Sequence, residues 1–164
     1  MFSPIKFATY LDVQAQEIKG IRNAKKSRLR LLSALALELE QAEFGDIKVL
    51  DITEAAGLAK GTFFIYFKTK EDIINELLDR YLQFERNSMP EIDFSKGQYN
   101  AVLTIVEWYE QTFSVNYGVL GCLIRLSNGD PHFRKLWRDR NSLLLDRWIP
   151  QAMSSIQLAD KHRD

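Results

Sequence analysis

The chain has 164 residues, 46% of them hydrophobic and 27% charged, with 22 Lys plus Arg against 22 Asp plus Glu and zero net charge. This is the composition of a folded globule, and it excludes a uniformly basic nucleic-acid coat or an acidic tail, though not a local basic patch. No apolar run approaches the roughly 18 residues of a membrane span, and the N-terminus lacks the apolar stretch and cleavage site of a signal peptide. A lone Cys122 excludes an intrachain disulfide and a multi-cysteine zinc site. A cytoplasmic protein with no membrane partner is expected.

The four prolines are Pro4, Pro90, Pro131 and Pro150, so residues 5–89 are free to form long helices; proline costs about 3 kcal/mol in a helix interior. Strand alternation is hard to find, and an all-α fold follows. In residues 1–24 the apolar positions are Phe2, Ile5, Phe7, Tyr10, Leu11 and Val13, with Thr9 as the expected cap of a helix running to about Lys19. Lys19, Arg22, Lys25, Lys26, Arg28 and Arg30 follow with no acid between them. They read either as a solvated helix start or as a basic arm beside a polyanion, where each neutralised phosphate adds salt-dependent affinity.

Leu31, Leu32, Leu35, Leu39 and Ala42 recur mainly at spacings of three and four, the apolar face of a helix. Phe44-Gly45-Asp46 breaks it, and Asp46 is the expected cap of the next. Residues 49–56 form two turns with Val49, Ile52 and Ala56 inward, and Gly57 stands where a helix ends in left-handed geometry. Residues 60–67 make a third short helix. Thr69 with Asp72 is a capping-box pattern that opens a helix over 70–88, about 28 Å long, with Ile73, Ile74, Leu77, Leu78, Tyr81 and Leu82 as its stripe.

A linker with Pro90 and Gly97 leads to a helix over 98–117, carrying Ala101, Val102, Ile105, Trp108, Tyr109 and Phe113 on its apolar side. Residues 119–126 are a short apolar helix stopped by Asn128-Gly129. Asp130-Pro131 reads as an N-cap with proline at the first helical position. The last helix carries Phe133, Leu136, Trp137, Leu144, Trp148, Ala152 and Ile156, with a kink expected at Pro150.

Two short helices joined by a glycine turn describe a helix-turn-helix, whose second helix enters the DNA major groove. The residues sharpen this. The stretch DITEAAGLAKGTFFIYFKTKE, residues 51–71, resembles without gaps the DNA-binding signature of the tetracycline-repressor (TetR) family, D-I-A-x-x-A-G-V-S-K-G-T-L-Y-x-Y-F-x-(S/N/T)-K-E. The resemblance implies a motif core of Val49, Ile52, Ala56, Leu58, Phe63 and Phe67. It also implies DNA contact by Lys60, Gly61, Thr62, Phe64, Ile65, Tyr66 and Lys70. Lys60 and Thr62 stand at a helix N-terminus, where free N–H groups favour phosphate. Gly61 leaves room for the duplex. Lys70 occupies a first turn, which disfavours cations, so a phosphate partner accounts for it as well as simple solvation does.

Three positions lose a polar group relative to the pattern. Ala59 replaces the usual serine cap, worth about 1 kcal/mol. Phe64 replaces a tyrosine, and Ile65 a polar residue. Phe64 and Ile65 either meet thymine methyl groups or weaken DNA binding. The second outcome would make the chain a helical partner protein of the same fold.

Outside the motif, His132 and His162 are far apart and suggest no metal site, and no catalytic constellation or cofactor motif is present. The expectation is a non-enzyme without cofactor. Trp108, Tyr109, Phe113, Tyr117, Phe133, Trp137 and Trp148 exceed what a small helical core needs. They read as core plus subunit interface, or as a pocket for a hydrophobic or aromatic effector, with Arg125 and Tyr109 as its polar groups. The expected organisation is an N-terminal extension (1–24), a three-helix DNA-binding head (25–70, motif about 48–67) and a helical effector-binding and dimerisation body (71–164). The resemblance implies a ligand-responsive repressor, homodimeric on a palindromic double-stranded operator. It also implies two further C-terminal helices for dimerisation; the sequence stops short of them, so the body is expected to be truncated or to dimerise through other surfaces.

Overall fold

The computed structural model describes residues 5–18 and 23–161. Phe2, Pro4, Lys19, Arg22 and His162, all singled out above, lie outside the described residues, as do the side chains of residues 155–161, Ile156 among them. The elements are α1 (Phe7–Glu17), α2 (Asn23–Glu38), α3 (Val49–Ala55), α4 (Lys60–Tyr66), α5 (Lys70–Ser88), a single 3-10 turn (Phe94–Lys96), α6 (Gln98–Gly129) and α7 (Pro131–Lys161). No strand occurs among the described residues, and none of their helices is long and apolar enough to cross a membrane.

α1 starts at Phe7 with Lys6, not Thr9, at the cap. Its face of Phe7, Ala8, Leu11 and Ala15 is buried, and the Ser33 hydroxyl on α2 donates to the Ala8 carbonyl at 3.1 Å. The Phe7 ring packs on Tyr81 and Phe84 of α5, with centroids 5.4 and 5.2 Å away. These residues therefore belong to the main core, which joins α1–α5 to Val119, Leu120, Cys122 and Leu123 of α6 and to Phe133.

α2 ends at Glu38, earlier than its apolar spacing suggested, because residues 39–46 fold into successive turns. Asp46 does not cap α3. Ile47 is buried next to it, and the extended Lys48 takes the cap position, its N–H donating to Asp51 Oδ2 at 2.7 Å. α5 has the expected bounds and a closed capping box: Thr69 Oγ1 accepts from the Asp72 N–H and Asp72 Oδ2 accepts from the Thr69 N–H.

The two helices expected over 98–126 are one helix broken in geometry at Asn116 (φ −126°, ψ 21°). The Asn116 side chain is the cause, since a polar side chain drawn into the backbone ladder bends a helix. Asn116 Oδ1 accepts the Phe7 N–H at 2.7 Å, and its Nδ2 donates to the carbonyls of Ile5 and Thr112. Past the bend, Gly118 lies so close to the end of α2 that a Cβ would meet the Leu39–Glu40 backbone at 2.8 Å. α7 begins with the expected Asp130 cap, which accepts the His132 N–H at 2.7 Å, and continues through Pro150. A second, smaller core of Met89, Trp108 and Trp148 lies away from the first.

Candidate nucleic-acid interface

Gly57 has φ +62°, the left-handed region that glycine enters without strain. The turn is closed by the Gly57 N–H on the Glu54 carbonyl and the Leu58 N–H on the Thr53 carbonyl. Ala59 then takes the cap of α4 with no side-chain hydrogen bond, so the missing serine leaves no substitute on that side chain. Of the inferred motif core, Ile52, Ala56, Phe63 and Phe67 are buried and Val49 and Leu58 half-buried. Phe63 and Phe67 pin α4 from below with ring centroids 5.7 Å apart.

With Phe63 inward, Lys60, Gly61, Phe64 and Ile65 face outward and are exposed, while Thr62 and Tyr66 are half-buried. Phe64 is 54% and Ile65 73% exposed, and a Cβ added at Gly61 would meet nothing. The exposed Lys68 adds a second cation just beyond α4.

Lys70 has a different setting from the other six residues. Its ammonium donates to the Phe44 carbonyl at 2.8 Å and the Gly45 carbonyl at 3.4 Å, and lies 4.7 Å from the Phe44 ring centroid. These oxygens and the ring face account for a cation in a first turn without a phosphate.

Arg28 was grouped above only with its neighbouring cations, yet it anchors the far end of α4. Its guanidinium donates to the Tyr66 carbonyl at 3.1 Å, stacks 4.6 Å from the Phe67 centroid and pairs with Glu76 on α5. Burial pushes the Glu76 carboxyl up, but the hydrogen bonds from Arg28 and Arg80 outweigh it and hold the group below the usual range. α4 is thus fixed at both ends, by the glycine turn and by this ion pair.

The aromatic residues of the second half fall into separate settings. Trp108 and Trp148 are buried edge to face, 5.6 Å apart. Tyr109 and Phe113 stack on each other and are 40% and 39% exposed. Tyr117 donates from its hydroxyl to the Glu40 carbonyl. Arg125 is exposed beside Glu43, 4.0 Å away, on the side facing the α2–α3 loop. Trp137 is half-buried, its ring 5.2 Å from the Arg140 guanidinium, which also lies 5.4 Å from Tyr109. The structure gathers Trp108 with Trp148, and Tyr109 with Trp137 through Arg140; Tyr117 and Arg125 lie instead against Glu40 and Glu43, just after α2.

The sequence reading above does not include the Arg140–Glu85 pair. Both side chains are buried, with Nε to Oε2 at 2.7 Å and Nη2 to Oε1 at 2.5 Å. A signal existed in the sequence: Glu85 continues the apolar register Leu77–Tyr81 of α5, and Arg140 the register Phe133–Leu136 of α7. Opposite charges on two buried stripes have to meet. The pair borders a cavity of about 280 Å³ between α5 and α7, whose lining mixes leucines and Met89 with the polar side chains of Asp79, Gln83, Arg86 and Asp139; none of the aromatic residues expected to bind an effector lines it. Tyr81 Oη, Gln111 Oε1 and the indole N–H groups of Trp108 and Trp148 are buried without a hydrogen-bond partner among the described residues.

Comparison with known proteins agrees with this geometry. The profile described as "Bacterial regulatory proteins, tetR family" matches residues 31–77. The chain is 37% identical over 158 residues to the HTH-type transcriptional regulator EthR of Mycobacterium tuberculosis, covering 92% of this chain and 70% of that protein. EthR of Mycolicibacterium smegmatis is 24% identical over 161 residues with the same coverage. The uncharacterized HTH-type transcriptional regulator YdgC of Bacillus subtilis is 33% identical over 95 residues, 52% of this chain and 49% of that one.

Proposed function

The chain belongs to the tetR family of bacterial regulatory proteins and is a DNA-binding transcriptional regulator, and from that premise we propose that it is a ligand-responsive repressor working as a homodimer on a palindromic operator in the cytoplasm. Its activity is binding rather than catalysis. The observation that carries the reading is the outward face of Lys60, Gly61, Phe64 and Ile65, held on buried Phe63 and Phe67 behind a left-handed glycine turn. Thr62 and Tyr66 flank that face, and Lys70 braces the loop behind it, with one ammonium N–H left over for the duplex.

Residues 25–70 act as the reading head and 71–164 as the effector and dimer body, with 1–24 preceding the head. The effector is small and hydrophobic or aromatic. The buried Trp108–Trp148 cluster, whose indole N–H groups have no hydrogen-bond partner among the described residues, supports this, because ligand sites are largely apolar with a few placed polar groups. Homodimerisation is supported by the apolar surface of α6, where Tyr99, Val102, Leu103 and Val106 are all more than 40% exposed; contiguous patches of this kind mark interaction sites. Effector binding shifts the balance between two dimer geometries only by its differential affinity for them. The tight contact of Gly118 with the end of α2 offers the route from body to head.

The test is selection of duplexes from a random pool by the full chain. An enriched inverted repeat supports the reading, and a pool that stays random after repeated rounds overturns it.

A further inference from the structure

We infer that the operator is read mainly through thymine C5-methyl groups packed against Phe64 and Ile65. This rests on the DNA-binding reading above and adds which base is read and by which side chains. The inventory of α4, KGTFFIY, is the starting point. Base-edge hydrogen bonds come chiefly from Arg or Lys to guanine and from Asn or Gln to adenine. α4 holds no Arg, Asn or Gln; its side-chain donors are Lys60, at the first position of the helix, and Thr62 and Tyr66, both half-buried.

The outward face offers instead two large apolar groups, 54% and 73% exposed. Among the four bases only thymine presents an apolar group in the major groove. Gly61 lies on the same face with open space around it, so no side chain holds the duplex away from its neighbours.

Both apolar groups are already held in place. The Phe64 ring sits edge to face on buried Phe63, with centroids 5.3 Å apart and planes at 76°. Ile65 is β-branched and has one strongly preferred rotamer in a helix. Contact with a methyl group therefore asks for little further ordering. The surroundings select nucleic acid over a protein partner: the patch amounts to two side chains, far below the roughly 800 Å² per partner of a stable protein interface. Exposed Lys60 and Lys68 flank it, a charge pattern that suits phosphates on either side of a groove.

The experiment uses the full chain and a duplex it selects from a random pool, resynthesised with deoxyuridine replacing thymidine at one position at a time. The replacement keeps every hydrogen-bonding group and removes only the methyl. At one or two positions in each half-site, affinity is expected to fall about fourfold, the factor for losing one buried methyl-sized group. Ile65→Ala and Phe64→Ala, both exposed and therefore safe for folding, should still bind and should each erase the thymidine–deoxyuridine difference at a different position. Tight binding with no deoxyuridine-sensitive position overturns the inference while leaving the regulator reading intact. A difference that persists in both variants also overturns it, since other residues then read the methyl. A chain that binds no duplex at all removes both.

Discussion

The head closes its core with Ile52, Ala56, Phe63 and Phe67, with Arg28, Lys70 and the α5 residue Glu76 half-exposed around it; the body buries Glu85 against Arg140 and, among the described residues, polar atoms of Trp108, Trp148 and Gln111 have no hydrogen-bond partner, against the single Asn75 Oδ1 where α5 adjoins the head. The contrast fits the roles proposed for the two parts. A reading surface must hold one geometry, and local apolar packing with rim charges supplies that. A buried ion pair is weak as a source of stability, because desolvation offsets its attraction, and unpartnered buried groups cost about 1–3 kcal/mol each. A region built this way gains more from a bound partner than the head does.

The sharpest way to break this comparison is to remove one member of the buried pair. Arg140→Ala should cost about 3–5 kcal/mol, because it strands a buried carboxylate. The double variant Glu85→Leu, Arg140→Met should recover most of that loss in urea unfolding. A single variant as stable as the parent would mean that the body is no more exposed to polar imbalance than the head.

At the joint between the two regions, Gly118→Ala drives a Cβ to within 2.8 Å of the Leu39–Glu40 backbone. Overpacking of this kind costs about 1–3 kcal/mol, and the melting temperature should fall accordingly. No change would show that α6 and α2 are free to separate, and would remove the proposed route from body to head.

Within the head, Gly57→Val should cost more than about 1 kcal/mol, because a β-branched residue is an outlier at positive φ, and Gly57→Asn should cost less. Equal melts for the two valine and asparagine variants would mean that the turn is not held in left-handed geometry.

The smallest effect concerns pH. The Glu76 carboxyl of α5 is held below its ordinary range in the folded chain, so its contribution is full above the ordinary glutamate value and is lost as pH falls through the depressed folded value. Acid unfolding of Glu76→Gln should therefore show a shallower dependence in that window than the parent. Identical acid limbs would contradict the ion pair's role in fixing α4. Cys122 provides no competing signal near neutral pH, since burial pushes its thiol up to about 11.

The parts of the fold legible in the sequence are those with local causes. The Thr69–Asp72 box spans four residues, Gly57 carries its own backbone preference, and both were correctly read. The α1 packing and the Asn116 bend were not legible, because the partner of Asn116 is Phe7, 109 positions away. Arg140 and Glu85 are 55 positions apart and Lys70 and Phe44 are 26 apart; composition and periodicity contain no term for such pairs beyond a charge sitting on a buried register. The excess of rings suggested one aromatic-lined space. Helical geometry separates them instead: a step of one residue turns about 100° around the axis, so Trp108 points inward while Tyr109, Phe113 and Tyr117, spaced by four, lie outward along α6. The motif placed a short helix over residues 60–67, and α4 forms there. Exposure then distinguished Phe64 and Ile65, on the open face, from Lys70, which is engaged within the protein.

The central claim is that this chain binds duplex DNA through the open face of α4, and the most direct measurement is the salt dependence of binding to a selected duplex by fluorescence anisotropy, for the parent and for Lys60→Ala. Each phosphate contact contributes about one unit to the slope of log affinity against log salt. Saturable binding by the parent is expected, with weaker binding by Lys60→Ala on every duplex tested and a slope lower by about one. Parent and variant with the same affinity and the same slope would contradict the claim.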